Sequence, residues 1–337
     1  MALWLVRTGS NGEHEEKFIS DNRIYLTWEG VDEDLGKFQG SDQFREVQAR
    51  HYPEQSAGTV GNYAAQMRSF VERMQQGDLV AVPSKQKSSI SFGEIVGPYK
   101  FDKNATDPYW HYRDIKWLKQ DVPRSQFDQD LLYSLGAFST VCEIHRNDAE
   151  KRIRAMLKTG FKPSAAATKD EDLAAETSVD LEQAADDEIA KLILRKFKGH
   201  GLERLVAAIL RAQGYTTHES PPGPDKGVDI LAAPGPLGFG HPRICVQVKS
   251  TNDPVDLPTL NQLVGAMHNT KADQGLLVSW GGFKATVTKE VPNQFFQVRL
   301  WTQRQLIEEL QANYDKLDAE VRAEIPLKQI WIVAGDS

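Results

Sequence analysis

The segment RICVQVK, residues 243–249, decides the fold of the C-terminal half of the chain. Branched apolar residues at its second, fourth and sixth positions alternate with Cys245, Gln247 and Lys249. A period of two is typical of a β-strand with two different faces. Gln247 and Lys249 are therefore expected to project from the same face of this strand.

A second predicted strand, GVDIL at residues 227–231, precedes it in the chain. The connecting loop, APGPLGFGH, has the Gly and Pro content of a turn. A hairpin of the two strands would place Asp229 beside Gln247 and Lys249. Glu203, near the start of the amphipathic helix that precedes these strands, would face the same point.

The other C-terminal segments alternate between strand patterns and helix patterns. The run QGLLVS, residues 274–279, is almost continuously apolar and predicts a buried strand, and residues 298–301 predict an extended one. Helices are predicted over residues 201–213, 256–270, 285–290 and 302–313. This order predicts an α/β domain in which helices flank a mixed sheet on both faces.

The residues of the hairpin and the helix gather two carboxylates, an amide oxygen and an amine, which suits metal-dependent phosphodiester hydrolysis. Mg²⁺ prefers hard oxygen ligands and keeps several waters. Asp229 would bind it together with the Gln247 side-chain oxygen or the Val248 carbonyl. Lys249 would orient the attacking water and offset charge in the transition state, and Glu203 would hold a metal-bound water. The spacing alone also fits a turn residue at Asp229 and a solvated lysine at a strand end.

Several short motifs follow one another in a specific order. They are Leu202-Glu203, Gly214-Tyr215, Gly227-Val228-Asp229, Gln247-Val248-Lys249, Gly275-Leu276-Leu277-Val278-Ser279 and Phe283. Over roughly residues 195–312, this order resembles the Mrr-like branch of the PD-(D/E)xK nuclease superfamily, in which Gln replaces the usual acid of the strand motif.

The resemblance implies a Mg²⁺- or Mn²⁺-dependent endodeoxyribonuclease. It places Asp229, Gln247 and Lys249 in the catalytic positions, with Glu203 as the acid of the helix. Asp225 also matches an Asp-x-Gly-x-Asp run of the family, and a turn or cap is the favoured interpretation there.

Charge is sorted along the chain. The formal net charge is −7, but residues 189–304 carry 14 Lys and Arg against 8 Asp and Glu. An acidic, Ala-rich segment at residues 161–188 is interpreted as a linker that passes into a helix near Leu181. It separates a predicted domain at residues 1–160 from the nuclease domain at residues 189–337. A basic segment within an acidic chain is compatible with a phosphate-bearing partner.

The first domain has mainly strand patterns. They lie at residues 2–6, 23–28, 78–82, 90–96 and 111–117, with one helix predicted over residues 61–76. The segments GDLVAVP, ISFGEIVG and HYRDIKW resemble a PUA-like barrel, close to the EVE/YTH type, over about residues 1–145. The resemblance implies a mainly-β barrel with accessory helices that grips a modified or flipped nucleobase.

A base-reading pocket needs aromatic faces, because stacking must offset the cost of extruding a base. Trp28 and Phe92 are the preferred candidates, and a place in the core is the alternative for each. The candidates for contact with DNA phosphates are Lys85, Lys87, Lys226 and Arg243. An ordinary solvated loop residue is the alternative for each of these cations.

Composition excludes several classes of protein. Two cysteines cannot build a disulfide framework, which indicates a reducing, cytoplasmic compartment. No run approaches the roughly 18 apolar residues of a membrane-spanning helix. The N-terminal segment also lacks the basic region of a signal peptide.

These patterns lead to one main hypothesis and one alternative. The main hypothesis is a type IV-like restriction endonuclease that hydrolyses foreign, base-modified, double-stranded DNA. Cutting both strands needs two active sites, so a homodimer or higher homo-oligomer is expected. The alternative is a DNA- or RNA-binding component of a defence or repair complex, with RNA-directed or partner-dependent nuclease activity.

Overall fold

The computed structural model describes residues 1–161, 180–197, 199–221 and 227–330. The chain divides into two compact units, Met1–Ala184 and Ala185–Ser337. Most of the predicted acidic linker lies outside the described residues. At its end a helix begins at Leu181, as predicted.

The first unit is built on a six-stranded mixed sheet with the strand order β2-β5-β4-β3-β1-β6. Its strands are β1 Leu3–Val6, β2 Arg23–Tyr25, β3 Leu79–Pro83, β4 Ser89–Phe101, β5 His111–Pro123 and β6 Val141–Glu143. β1 and β3 are parallel, and the other neighbouring pairs are antiparallel.

This sheet does not close into the predicted barrel. Its edge strands β2 and β6 have three residues each, and they do not pair with each other in the described part of the chain. In β1, Trp4 and Val6 belong to one hydrophobic core, and Leu3 and Leu5 belong to another. Because both faces of the sheet are already buried, closure would cover no further apolar face. The unit is therefore α/β rather than mainly β.

Helices contribute more to the first unit than its sequence patterns predict. They are α1 Glu15–Asp21, α2 Gly40–His51, α3 Ala57–Arg68, α4 Gln129–Ser134 and α5 Ala149–Thr159. α2 lacks an apolar stripe, since Phe44 and Val47 are its only buried hydrophobic residues. The helix predicted over residues 61–76 is α3, which continues as a π-helical turn over Ser69–Arg73.

The buried side chain of Arg113, on β5, satisfies the backbone at this turn. Its guanidinium donates hydrogen bonds to the carbonyl oxygens of Phe70 at 2.7 Å, Val71 at 2.8 Å and Gly97 at 3.3 Å. Burial lowers the pKa of Arg113 to about 10. A charged group buried to this extent is tolerated because its donors meet several carbonyls.

Replacing Arg113 with Met is expected to lower the free energy of unfolding by about 3 kcal/mol, since three carbonyls lose their donor in a buried site. The exposed Arg45 on α2 provides a control, and Arg45→Met should change stability by less than about 0.5 kcal/mol. Urea unfolding followed by circular dichroism measures both variants. Equal midpoints for the two variants would contradict the assigned role.

The second unit contains a five-stranded mixed sheet with the strand order β11-β10-β9-β8-β7. Its strands are β7 Tyr215–Glu219, β8 Ile230–Pro234, β9 Ile244–Lys249, β10 Gln274–Ser279 and β11 Val298–Thr302. β9, β10 and β11 are parallel, and β8 runs antiparallel to both β7 and β9. The predicted mixed sheet is confirmed.

Helices pack on both faces of this sheet, also as predicted. They are α6 Leu181–Lys196, α7 His200–Ala212, α8 Leu257–Thr270, α9 Ala285–Glu290, α10 Gln303–Ala312 and α11 Ala319–Glu324. Val246 and Val248 share a core with α7 and α10, whereas Cys245 shares a core with α8. By the alternation of the strand, Gln247 and Lys249 project toward the α8 face.

Candidate active site

Pairing of β8 with β9 brings Asp229 next to Gln247. Ile230, the first residue of β8, pairs with Val246. Asp229 comes directly before it, and its N–H donates to the Val246 carbonyl at 2.9 Å. One step further along the antiparallel register, Asp229 lies opposite Gln247.

The Asp229 carboxylate is held against the backbone of β9. Its Oδ2 accepts a hydrogen bond from the Val248 N–H at 2.5 Å. The residue is only 9% exposed. A hydrogen bond to an ionised acceptor is stronger than a neutral one, so this contact fixes the orientation of the carboxylate.

Gln247 carries a buried oxygen with no hydrogen-bond partner in the described part of the chain. The residue is 2% exposed, and the atom is Oε1. Such an oxygen costs about 1–3 kcal/mol unless something binds it. Amide and carboxylate oxygens are ligands that Mg²⁺ accepts, so Gln247 and Asp229 fit a divalent cation.

Lys249 ends β9 at the carboxyl edge of the parallel strands. It lies opposite Ser279, the last residue of β10, and its carbonyl accepts the Trp280 N–H at 2.8 Å. The side chain is partly exposed, and no ion pair engages it among the residues that the structure describes. Gln247 and Lys249 are two residues apart on the strand, so they share a face as predicted.

Glu203 lies in a different layer from these three residues. It belongs to the first turn of α7, which packs on the opposite face of the sheet from Gln247. Its carboxylate pairs with His200 Nδ1 at 2.9 Å. Strand pairing thus brings together three of the four predicted residues, and Glu203 comes from the helix layer.

The described residues hold no cluster of three or more His, Cys, Asp or Glu side chains that suits a metal ion. Asp225, the further acid of the motif, lies outside the described residues. The metal ligands that strand pairing provides are therefore one carboxylate, one amide oxygen and the backbone carbonyls.

Phe92 does not fit the role of a base-stacking residue. It is fully buried in β4, and its ring packs against Phe127 and Phe161 at centroid distances of 5.8 and 5.7 Å. Both neighbours belong to the same hydrophobic core. Because its ring surface is already covered, Phe92 is a core residue and the prediction of a pocket role is wrong.

Trp28 is half-buried and has an aromatic neighbour. Its ring lies 5.2 Å from that of Tyr63 on α3, at an interplanar angle of 40°. Tyr63 is also half-buried. This pair keeps part of its aromatic surface accessible.

The two lysines of the loop between β3 and β4 are both in ion pairs. Lys85 Nζ lies 2.7 Å from Asp180, which is 5% exposed and also pairs with Arg7 at 3.3 Å. Lys87 pairs with Asp121 at 2.7 Å, but both of these side chains are about half exposed. The charge of Lys85 is therefore used within the fold, which does not fit its predicted contact with phosphate.

Of the two remaining cations predicted to contact phosphate, Arg243 is the one that lies within the described residues. Arg243 precedes β9, six residues from Lys249, which is about 20 Å along a strand. Its backbone N–H donates to Asp273 at 2.7 Å. Arg243 thus lies at the far end of the strand from the predicted site. Lys226 lies outside the described residues.

No described helix combines the length and the apolar character that crossing a membrane requires.

Comparison with known proteins adds two family matches. Residues 194–310 match a family described as "Restriction endonuclease", and residues 4–137 match a family described as "Domain of unknown function (DUF8426)". A search of curated proteins gave no match.

Two solved structures are similar at low identity. The "DNA modification-dependent restriction endonuclease AspBHI" is 16% identical, with a TM-score of 0.34 over 74% of this chain and 68% of that one. The "MspJI Restriction Endonuclease in Complex with 27-mer Oligonucleotide" is 15% identical, with a TM-score of 0.32 over 97% of this chain and 80% of that one. The family match, and not these two structures, assigns residues 194–310 to a restriction endonuclease domain, a hydrolase of DNA.

Proposed function

We propose that the chain is a modification-dependent restriction endonuclease in which the second unit cuts DNA with a divalent cation and the first unit reads the modified base. The observation that carries the proposal is the placement of Asp229, Gln247 and Lys249 at one edge of the sheet, within the restriction endonuclease domain.

The Asp229 carboxylate and Gln247 Oε1 would hold the cation, with the Val248 carbonyl as a further ligand. The unpartnered, buried Oε1 supports this assignment, because an amide oxygen without a donor suits a hard cation. Mg²⁺ or Mn²⁺ supplies Lewis-acid stabilisation of the charge that develops on the scissile phosphate.

Lys249 would act on the reacting groups directly. Lys249 lies on the same strand face as Gln247, so its ammonium would reach the scissile phosphate. There it orients the attacking water and stabilises negative charge on the phosphoryl oxygens. Glu203 pairs with His200 on the opposite face of the sheet, so it would have to reach the same water around the carboxyl ends of the strands.

Replacing Lys249 with Ala is expected to lower kcat for duplex cleavage about 100- to 1000-fold, because one donor to the developing charge is lost. Cleavage by the wild type should require Mg²⁺ or Mn²⁺ and stop in EDTA. Gel analysis of labelled duplexes measures both effects. The control is Lys271→Gln, because Lys271 caps the C-terminal end of α8. This variant should cut at the wild-type rate.

Cleavage in EDTA would rule out the cation, and undiminished cleavage by Lys249→Ala would rule out the role of this lysine. Asp229→Asn separates the two questions, since it should weaken metal binding as well as cleavage. The added stability that Mg²⁺ gives the wild type in thermal unfolding should be absent from that variant.

The first unit would read the base through Trp28 and Tyr63. Their half-buried rings support this, because base–aromatic stacking provides about 1–3 kcal/mol per base. A base extruded from the duplex loses stacking and pairing energy of similar size.

Trp28→Ala is expected to reduce the preference for modified duplexes about tenfold or more, because one stacking face is lost. The substrates are matched duplexes with cytosine, 5-methylcytosine or 5-hydroxymethylcytosine. Phe138, a half-exposed aromatic residue in the same unit, provides the control Phe138→Ala. An unchanged preference in Trp28→Ala would contradict the role of Trp28. If the wild type cut all duplexes equally, the proposed nuclease activity would stand but the proposed base-reading role of the first unit would be wrong.

Cutting both strands of a duplex requires two active sites. The described residues of one chain provide one candidate site, so we propose that the enzyme acts as a homodimer or higher homo-oligomer. Double-strand cleavage with a rate that rises steeply with enzyme concentration would support this assembly.

A further inference from the structure

Two loops continue from the catalytic edge of the second unit and pair with each other. Residues 250–256 follow β9, and residues 280–284 follow β10. The Val255 N–H donates to the Gly282 carbonyl at 2.9 Å, and the Lys284 N–H donates to the Val255 carbonyl at 2.9 Å. Val255 and Phe283 form a parallel β-bridge.

Close contact of the two loops depends on a glycine. A Cβ at Gly281 would lie 2.4–2.6 Å from backbone atoms of Asn252 and Asp253. Real Cβ atoms do not approach backbone that closely, so a side chain here would push the loops apart. The pair is therefore built as one unit that holds the residues after it in a fixed place.

Lys284 is the cation that this arrangement positions. Its side chain is 57% exposed, and its Nζ lies 3.9 Å from Asp256 Oδ2. That distance is too long for a hydrogen bond, so Asp256 attracts the ammonium without using its donors.

Asp256 is itself occupied as the N-cap of α8. Its Oδ1 accepts hydrogen bonds from the Thr259 hydroxyl at 2.9 Å and the Thr259 N–H at 3.3 Å. These bonds lower the pKa of Asp256, so the carboxylate stays charged and keeps Lys284 in place. Asp253, in the same loop, is an exposed acid and opposes a phosphate nearby.

Lys284 lies at the same sheet edge as Lys249. The link is short: the Trp280 N–H donates to the Lys249 carbonyl at 2.8 Å, and Lys284 follows four residues later. We infer that Lys284 is a binding residue that contacts a DNA phosphate next to the scissile one. The inference rests on DNA hydrolysis by this domain. Since an ammonium is a point charge, the contact carries no sequence information.

The test is the salt dependence of DNA binding by the full chain in EDTA, with a fluorescent duplex at 50–200 mM NaCl. Each phosphate contact contributes about −0.9 to the slope of log K against log salt. Lys284→Gln should therefore reduce the slope by about 0.9, so that the loss of affinity across this range becomes about threefold smaller. Lys284→Arg should restore the wild-type slope, because it keeps the charge.

Lys271→Gln is the matched control, since Lys271 is an exposed lysine that caps the other end of α8. It should leave the slope unchanged. In cleavage assays, Lys284→Gln should raise KM several-fold with kcat largely kept, whereas Lys249→Ala should lower kcat.

A Lys284→Gln slope equal to that of the wild type would overturn the inference while leaving the nuclease intact. A fall in kcat with KM unchanged would overturn this binding role and indicate contact with the reacting groups. Failure of the wild type to bind or cut any duplex would instead overturn the proposed function, and the inference with it.

Discussion

The hydrogen bond from the Val248 N–H to the Asp229 carboxylate is the contact on which the candidate site depends. It joins the residue before β8 to Val248, near the end of β9, so the hairpin register and the direction of the carboxylate are set together. A slip of one residue would turn Gln247 and Lys249 to the α7 face and put Val246 and Val248 in their place. Burial on both faces of β9 disfavours that slip, because it would place the polar Gln247 and Lys249 side chains in the apolar core that β9 shares with α7 and α10.

Gln247 shows where folding stability and function diverge. Its neighbours on β9 are apolar and buried, and a leucine there would pack without leaving an unpartnered oxygen. Folding alone therefore gives no reason for an amide at this position, since a buried oxygen without a donor is unfavourable. The proposed cation would remove that cost. The same atom would then lower stability in the free protein and contribute to binding in the loaded one.

Periodicity predicted the second unit well because its strands and helices have clear faces. β10 spans residues 274–279 and α9 residues 285–290, the ranges that the pattern indicates. The first unit was harder, because α2 has few buried apolar residues and because β1 is buried on both faces. Phe92 shares a strand face with Ile90, so the alternation pointed to the core. The partner of Lys85 is Asp180, 95 residues away, which no local pattern reveals.

The ion pairs of the second unit show why a local count of charges in the sequence misleads about the charge at its surface. Residues 189–304 have an excess of cations, but several of their arginines are neutralised within the domain. Arg204 pairs with Glu324 at 2.7 Å, and Arg211 pairs with Asp318 at 2.8 Å, so the acidic C-terminal segment offsets part of the excess. In the proposed enzyme, the positive field at the carboxyl edge of the sheet would therefore come from lysines such as Lys249, which has no ion pair among the described residues, and Lys284, whose Nζ lies 3.9 Å from Asp256. Lysines at that edge would position a DNA backbone without reading bases, so the proposed preference for particular DNA would have to arise elsewhere in the chain.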